Sequence, residues 1–409
     1  MKKLKTNKVY VGNCLDVLKT FPDESLDMCI TSPPYWGLRD YGTEGQIWGG
    51  DSECEHDFDK SKRTLHSGTW GEKDNALPHF KNATKLNWEV EDALCNKCGA
   101  WKGELGLEPS PERFISNLCD IFDEVKRVLR PHGSCWVNLG DSYCRTPNSQ
   151  DSQSGFKTMK YKYNYQHKKN YGDEYKPKSL VQIPSRFAIE MTNRGWILRN
   201  EIIWHKPSCL PASVTDRYTV DFEKMFFFTK NKHYYFKQQI EETKDLLQRN
   251  KRTVWHVNTA SFKDAHFAVY PPQLLESPLD ASCPRFVDKK TGKAREITIE
   301  KKSIERHQLP TDNPNYRPAR YDGKYSQGQR FAAYKDKGYT DGRDDDEFVP
   351  GIVLDPFFGS GTTGEVAMKQ GKDWVGIELN DEFEKISQKR LKPTIVEKKT
   401  KEKSKEFWG

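Results

Sequence analysis

No apolar run in the 409-residue chain is long enough to cross a bilayer, and its basic start, MKKLKTNKVYVGNCLDVL, does not lead into the uninterrupted apolar stretch of a secretory leader. Both absences set the expectation of a cytoplasmic chain with no membrane partner. In that setting ten cysteines read as reduced thiols or metal ligands, not as a disulfide frame. No internal repeat is present, which sets aside a solenoid or propeller. Apolar residues are scarce at 35%, against 31% charged, so much of the length should lie in surface, loops or arms. What the chain does have is aromatics, at 12%, interleaved with lysines under a net charge of +7. That balance suits a polyanionic partner, though by itself it says little.

The remaining apolar residues are patterned. In SPERFISNLCDIFDEVKRVLR, Ser110 is a good N-cap and Pro111 fits the first helical position, with Phe114, Ile115, Leu118, Ile121, Phe122, Val125, Val128 and Leu129 on one face. RPHG should end that helix, and SCWVNLGDSY should follow as a buried strand. Further strands are expected at EIIWHK, MFFFTK, GIVLDPF and DWVGIEL. Strands alternating with helical patterns give an α/β fold class with a parallel sheet.

Two stretches carry chemistry. In MCITSPPYWGLRDYG the apolar strand from Leu26 to Ile30 runs into Ser32-Pro33-Pro34-Tyr35-Trp36. The prolines must stop the strand and hold a stiff backbone, presenting carbonyls, a hydroxyl and an aromatic face beyond its carboxyl end. In VLDPFFGSGTTGEVAMKQGKDWVGIELN a strand ends at Asp355 and meets Gly359-Ser360-Gly361, where a helix begins near Thr362 or Thr363. Such a turn lets backbone approach a ligand and offers unpaired N–H groups. The next strand ends in Glu378, where an acid can grip ribose hydroxyls. A P-loop would need a lysine and a hydroxyl after the last glycine, and Gly364-Glu365 supplies neither. Gly359, Gly361 and Gly364 do match the dinucleotide spacing G-x-G-x-x-G. Asp355 would repel a pyrophosphate, however, and better suits a cationic ligand such as S-adenosylmethionine.

Taken together, TSPPYW and DPFFGSGTTG resemble the loops of the amino-methylating DNA methyltransferases, in the permuted order with the catalytic loop first. GNCLDVL, the PERF to GDSY block, NEIIWHKP and HFAVYPPQLLE extend the resemblance through the core. It implies a Rossmann-like methyltransferase sheet using S-adenosylmethionine on double-stranded DNA. A cognate restriction endonuclease is the further partner found in paired systems. It also implies that Ser32 and the Pro33 carbonyl accept hydrogen bonds from an exocyclic amine, that Pro34 stiffens the loop, and that Tyr35 stacks on a flipped base. Asp355, Phe357, Gly359, Ser360 and Gly361 would line the methionine part of the cofactor and Glu378 its ribose, while Asn13 and Cys14 would touch adenine. His266 and Phe267 would close the pocket. Serine first in the loop is the family's usual mark of cytosine N4, and aspartate that of adenine N6, so cytosine N4 is expected and adenine N6 is the alternative. Methylation at cytosine C5 would need a thiolate in a Pro-Cys context, and none of the 22 prolines precedes a cysteine. RNA or protein-amide methylation, and a zinc-bearing binding module that has lost catalysis, are more distant readings.

Cys54-Glu-His56 and Cys95-Asn-Lys-Cys98 supply four ligands of structural-zinc type. At Cys283 the partner cysteines of a second site are missing, and no second zinc is expected. KTMKYKYNYQHKKNY interleaves cations and aromatics in the manner of a DNA-contacting loop. The expected organisation is residues 1–42 for the catalytic-loop part of the core, 43–107 for the zinc insertion, and 108–236 for more core with a basic loop at 145–178. Target recognition is expected at 237–350, with a pocket helix near 265–276, followed by the cofactor part at 351–395 and a basic tail at 396–409.

Overall fold

The computed structural model describes residues 4–38, 41–58, 61–65, 88–144, 176, 178–209, 211–212, 214–242, 248–260, 269–304, 331–392 and 394. His266, Phe267, the basic loop from 145 to 175, the stretch NPNYRPARYDGKYSQGQR and the basic tail lie outside those residues. In chain order the first elements are β1 Lys8–Val11, α1 Cys14–Lys19, β2 Leu26–Thr31, β3 Gln46–Trp48, β4 Ser61–Leu65, β5 Trp88–Leu94 and β6 Trp101–Gly103. The middle of the chain gives α2 Pro111–Val128, β7 Leu129–Leu139, α3 Ile183–Asn193, β8 Ile197–His205, β9 Phe222–Thr229, β10 Ile240–Glu242, β11 Gln248–Asn250 and β12 Val254–His256. The last are α4 Pro272–Ser282, β13 Phe286–Asp288, β14 Ile299–Ile304, β15 Phe331–Asp336, β16 Phe348–Pro350, β17 Ile352–Asp355, α5 Thr362–Lys369 and β18 Asp373–Glu378.

The central sheet has the order β1-β18-β17-β2-β7-β9-β8-β12. Its neighbours are parallel except where β9 pairs with β7 and β8, so β9 alone among these strands runs backwards. The sheet is of the α/β kind expected, mostly parallel, with one strand reversed. The reversal follows from the link between β8 and β9, whose described residues form no helix: without a crossover helix the chain can return only as an antiparallel neighbour.

β2 shows why the sheet is central. All six of its residues are buried, and alternate side chains feed opposite layers, Cys29 toward the cluster of α1, α2 and α3, Met28 and Ile30 toward that of α4 and α5. The acid in this strand, Asp27, is matched by Arg130 Nη1 at 2.7 Å, His132 Nε2 at 2.9 Å and the Ile352 N–H at 2.8 Å. As expected, α2 stops just before RPHG, at Val128, but β7 starts earlier than SCWVNLGDSY: it begins at Leu129 and runs through RPHG, where Arg130 and His132 meet Asp27. The N-terminal end of α2 is as expected, with the Ser110 hydroxyl accepting from the Arg113 N–H at 3.2 Å.

Between β2 and α2 lies a second sheet, β3-β6-β5-β4. Trp101 is fully buried and Trp48 nearly so, and both join the α2 cluster, with the Trp48 indole donating to the Gly103 carbonyl at 2.9 Å. A side chain at Gly103 would strike the Trp101 ring at 2.1 Å, so that glycine is what lets the tryptophan fold back.

Candidate functional site

The Ser32 and Gly359 loops leave the carboxyl ends of adjacent strands, β2 and β17, where ligands bind in open α/β sheets. A buried acid joins the two. Asp355 is fully buried and accepts from Thr31 Oγ1 at 2.6 Å, Thr363 Oγ1 at 2.6 Å, Tyr270 OH at 2.8 Å and the Phe357 N–H at 3.1 Å. Tyr270 also bonds Thr363. Burial raises the Asp355 carboxyl above its ordinary value, and the three hydroxyls only partly oppose that. Thr31 immediately precedes Ser32 and Thr363 opens α5, so one carboxylate fixes the spacing between the two loops.

On the first loop, Ser32 Oγ lies 3.4 Å from Tyr35 OH, which donates to Glu223 Oε2 at 2.6 Å. Asn138 Nδ2 donates to the same tyrosine oxygen at 2.5 Å and to Glu223 Oε2 at 2.6 Å, and Lys206 pairs with the other Glu223 oxygen. Burial, and next the Glu223 charge, hold the Tyr35 phenol far above its usual range, so it stays protonated. The Asn138 carbonyl oxygen, buried beside these groups, has no partner among the described residues. The far side of the loop is gripped by residues just after β6: the Trp36 indole donates to the Glu108 carbonyl at 3.1 Å and the Gly37 N–H to the Gly106 carbonyl at 2.7 Å.

On the second loop, Gly359 and Gly361 have φ of +50° and +83°, which side-chain-bearing residues rarely adopt. A Cβ at Gly359 would have only one atom near it, at 3.9 Å, so that face of the loop is open. At Gly364 a Cβ would instead strike Phe358 at 2.9 Å and Trp374 at 3.2 Å. The third glycine of the apparent dinucleotide pattern therefore serves the Phe358–Trp374 stack, with ring centroids 4.9 Å apart, and not a phosphate. Arg390 closes the loop from behind, donating to Ser360 Oγ at 3.1 Å, Thr362 Oγ1 at 2.8 Å and Glu365 at 2.7 Å. Phe357 is half-buried at the loop's start.

Glu378 ends β18 beside this loop and accepts from the Gly359 N–H at 2.7 Å and the Asn380 N–H at 3.0 Å. Burial raises its carboxyl above the ordinary value, against those backbone donors. β1 pairs with β18 so that Val11 lies opposite Glu378, which brings Asn13 and Cys14 to the same corner. Asn13 caps α1, accepting from the Leu15 N–H at 2.8 Å, and Cys14 is a buried thiol pushed up to about 12 by desolvation.

The four candidate metal ligands converge as well. One ligand atom each from Cys54, His56, Cys95 and Cys98 lies within 4.8 Å of the others. Of the site residues expected from sequence, only His266 and Phe267 fall outside the described chain. The residues missed are Thr31, Asn138, Lys206, Glu223, Tyr270, Thr363 and Arg390. Lys206 and Asn138 stand in WHKP and WVNLGD, blocks visible in the sequence to which no role had been attached.

A family model described as DNA methylase, of the N6 and N4 methyltransferase kind, matches residues 26–286 and 348–389. The Type II methyltransferase M.Cfr9I of Citrobacter freundii is 30% identical over 388 residues, spanning 94% of this chain and 87% of that protein. M.SmaI of Serratia marcescens is 28% identical over 396 residues, spanning 95% and 91%. Among solved structures, PvuII DNA methyltransferase (cytosine-N4-specific) aligns with a TM-score of 0.46 at 14% identity, covering 94% of this chain and 86% of that one.

Proposed function

The chain belongs to the DNA methylase family of N6- and N4-amino methyltransferases, and from that premise we propose that it methylates the N4 amino group of cytosine in double-stranded DNA, with S-adenosylmethionine as donor. The observation that carries the reading is the junction at Asp355, which holds an acceptor loop and an open glycine loop side by side at the ends of β2 and β17.

The residues of the second loop fit S-adenosylmethionine. The loop has an open glycine face, the Glu378 carboxylate retains lone pairs for ribose hydroxyls, and the buried negative charge of Asp355 stands behind a site for a cationic ligand. Phe357, Gly359, Ser360 and Gly361 would hold the methionine part, and Asn13 and Cys14 the adenine corner. When bound, S-adenosylmethionine supplies a methyl group on a positively charged sulfur.

The first loop handles the base. Ser32 Oγ and the Pro33 carbonyl accept hydrogen bonds from the target amine, turning its lone pair away from the ring plane and toward the methyl. Pro34 keeps those acceptors stationary, so little reorganisation is needed at the moment of transfer. Tyr35 stacks on the extruded base. Glu223 and Asn138 position Tyr35 by gripping its hydroxyl, Lys206 holds the other oxygen of Glu223, and the Asn138 oxygen, without a partner among the described residues, is one more acceptor within this group. A neutral serine rather than a carboxylate at position 32 favours cytosine N4 over adenine N6.

Mass spectrometry of nucleosides from plasmid DNA, incubated with the protein and S-adenosylmethionine, tests the assignment. N4-methylcytosine is the expected product. N6-methyladenine would overturn the choice of base, and methylation of RNA or protein alone would overturn the substrate class.

A pH dependence follows from Glu378. Its raised carboxyl keeps its proton to a higher pH than an ordinary glutamate, and the ionised form is the better acceptor for ribose hydroxyls. Cofactor affinity should therefore fall on acidification from neutral pH, at a higher pH than an ordinary glutamate would give, and Glu378→Gln should bind more weakly at neutral pH with a flat profile. In the free protein a raised acid stabilises the fold below its unfolded value and loses that contribution as pH rises through the folded value. The Gln variant escapes that loss but keeps an acceptor for only one of the Gly359 and Asn380 N–H groups, so its stability should change less with pH than that of the wild type, and titration calorimetry with thermal melts across pH 5 to 8 checks both signs.

A further inference from the structure

We propose that Cys54, His56, Cys95 and Cys98 hold one zinc ion, and that this centre buttresses the catalytic loop by setting the position of Glu104, Gly106 and Glu108. The second half of the statement rests on the reading of residues 32–36 as that loop.

The donor set and its spacing fit the ion. Three thiol sulfurs and an imidazole nitrogen are borderline-soft donors of the kind that structural zinc takes in closed four-coordinate sites. Two sulfurs each about 2.3 Å from a tetrahedral centre lie about 3.8 Å apart. In the protein Cys54 Sγ and Cys95 Sγ are 3.9 Å apart, and Cys98 Sγ is 3.4 Å from His56 Nδ1. Those distances are far beyond a sulfur–sulfur bond, and all four side chains reach one point although 41 residues separate Cys54 from Cys95. The backbone is arranged around that point. The Gly99 N–H bonds the Cys95 carbonyl at 2.9 Å to make the knuckle, and Gly99 has φ of +72°. A side chain at Gly50 would strike Cys98 Sγ at 2.8 Å, so glycine is what allows the two arms to close.

From the knuckle the chain passes directly into β6 and then into the groups that hold the loop. Three residues after Cys98, Trp101 is locked into the core and pairs with Trp48 in the β3–β6 ladder. Glu104 then accepts from the Tyr41 N–H at 2.8 Å and the Thr43 N–H at 3.3 Å. Gly106, at φ +95°, sits so close to Pro34 and Tyr35 that a Cβ there would lie 3.2 Å from each. Glu108 ties this corner to α2 through Asn117 Nδ2 at 3.2 Å and to its own turn through the Gly106 N–H at 2.8 Å. Residues 104–108 thus cradle the outer side of the loop, and their only covalent tie on the N-terminal side runs through β6 to the knuckle. Four ligands with no open position leave no place for a metal-bound water, so the ion's contribution is mechanical.

The test begins with metal counting on full-length protein purified without chelator, where one zinc per chain is expected. Amide hydrogen exchange is then compared before and after reversible zinc removal. Loss of protection is expected in residues 35–38, 41–43 and 104–108, with recovery when zinc is returned and no change around Gly359. Methyl transfer should fall about a hundredfold with cofactor affinity retained, as a loop displaced by about 1 Å would produce. Glu104→Ala should keep its zinc and lose protection at Tyr41 and Thr43, which separates the buttress from the metal. Protein that neither carries nor takes up zinc would overturn the site, and zinc removal that leaves exchange in 35–38 and 41–43 unchanged would overturn the coupling. Were the methyltransferase reading itself wrong, transfer would be absent throughout while the zinc count and exchange response persisted.

Discussion

Ser32→Ala is expected to lower methyl transfer by about a hundredfold, the lower end of what losing one preorganised hydrogen-bond partner costs at a reacting centre. Cofactor affinity should stay unchanged. The asymmetry comes from where the hydroxyl sits. Among the described residues it makes one long contact, 3.4 Å to Tyr35 OH, so its removal disturbs neither the Asp355 junction nor the glycine loop. What it removes is an acceptor for the incoming amine, leaving the Pro33 carbonyl to sustain residual turnover. Glu223→Gln provides a graded comparison. It keeps an oxygen for Tyr35 but discards the charge that Lys206 pairs, so it should lose less than Ser32→Ala, and the loss should again fall on transfer and not on cofactor binding. Single-turnover transfer of a labelled methyl group, alongside calorimetric cofactor binding, gives both readouts. Wild-type transfer by Ser32→Ala would remove the serine from the mechanism.

The contrast between Ser32 and Glu223 also shows what a single sequence discloses. The Ser-Pro-Pro-Tyr turn, the Gly359–Gly361 turn and the acid after the next strand were legible because each needs particular residue types at short spacing: prolines that end a strand, glycines with positive φ, a carboxylate at a strand end. The Cys95–Cys98 knuckle was legible for the same reason. Glu223 lies 188 residues from Tyr35 and Tyr270 lies 85 from Asp355, and no local pattern marks such partners. Their alignment depends on sheet order, and above all on the reversal of β9, which places Glu223 opposite the end of β7 where Asn138 stands. Asp27 teaches the complementary lesson. Nothing local to the strand marks the partners of its one acid, which the sheet supplies where β7 extends through RPHG and brings Arg130 and His132 beside it.

Asp355→Ala should be the most damaging substitution in the second loop, costing about 2–4 kcal/mol of stability and abolishing measurable cofactor binding. The carboxylate is fully buried and receives four hydrogen bonds, so its loss leaves Thr31 Oγ1 and the Phe357 N–H without an acceptor in a space closed to solvent, and opens a void between β2 and β17. Tyr270 and Thr363 bond each other and can retain part of their pairing, which keeps the cost below that of four independent losses. The raised Asp355 carboxyl gives a second signature. As an acid with a raised folded value, it favours the fold most at low pH and loses that contribution as pH rises through the folded value. The stability difference between wild type and Asp355→Ala should accordingly narrow as pH rises, whereas an ordinary paired carboxylate would make it widen. Urea unfolding at pH 5 and pH 8 measures the trend. A variant as stable as wild type that still binds S-adenosylmethionine would show that the two loops are held together by something other than this buried charge.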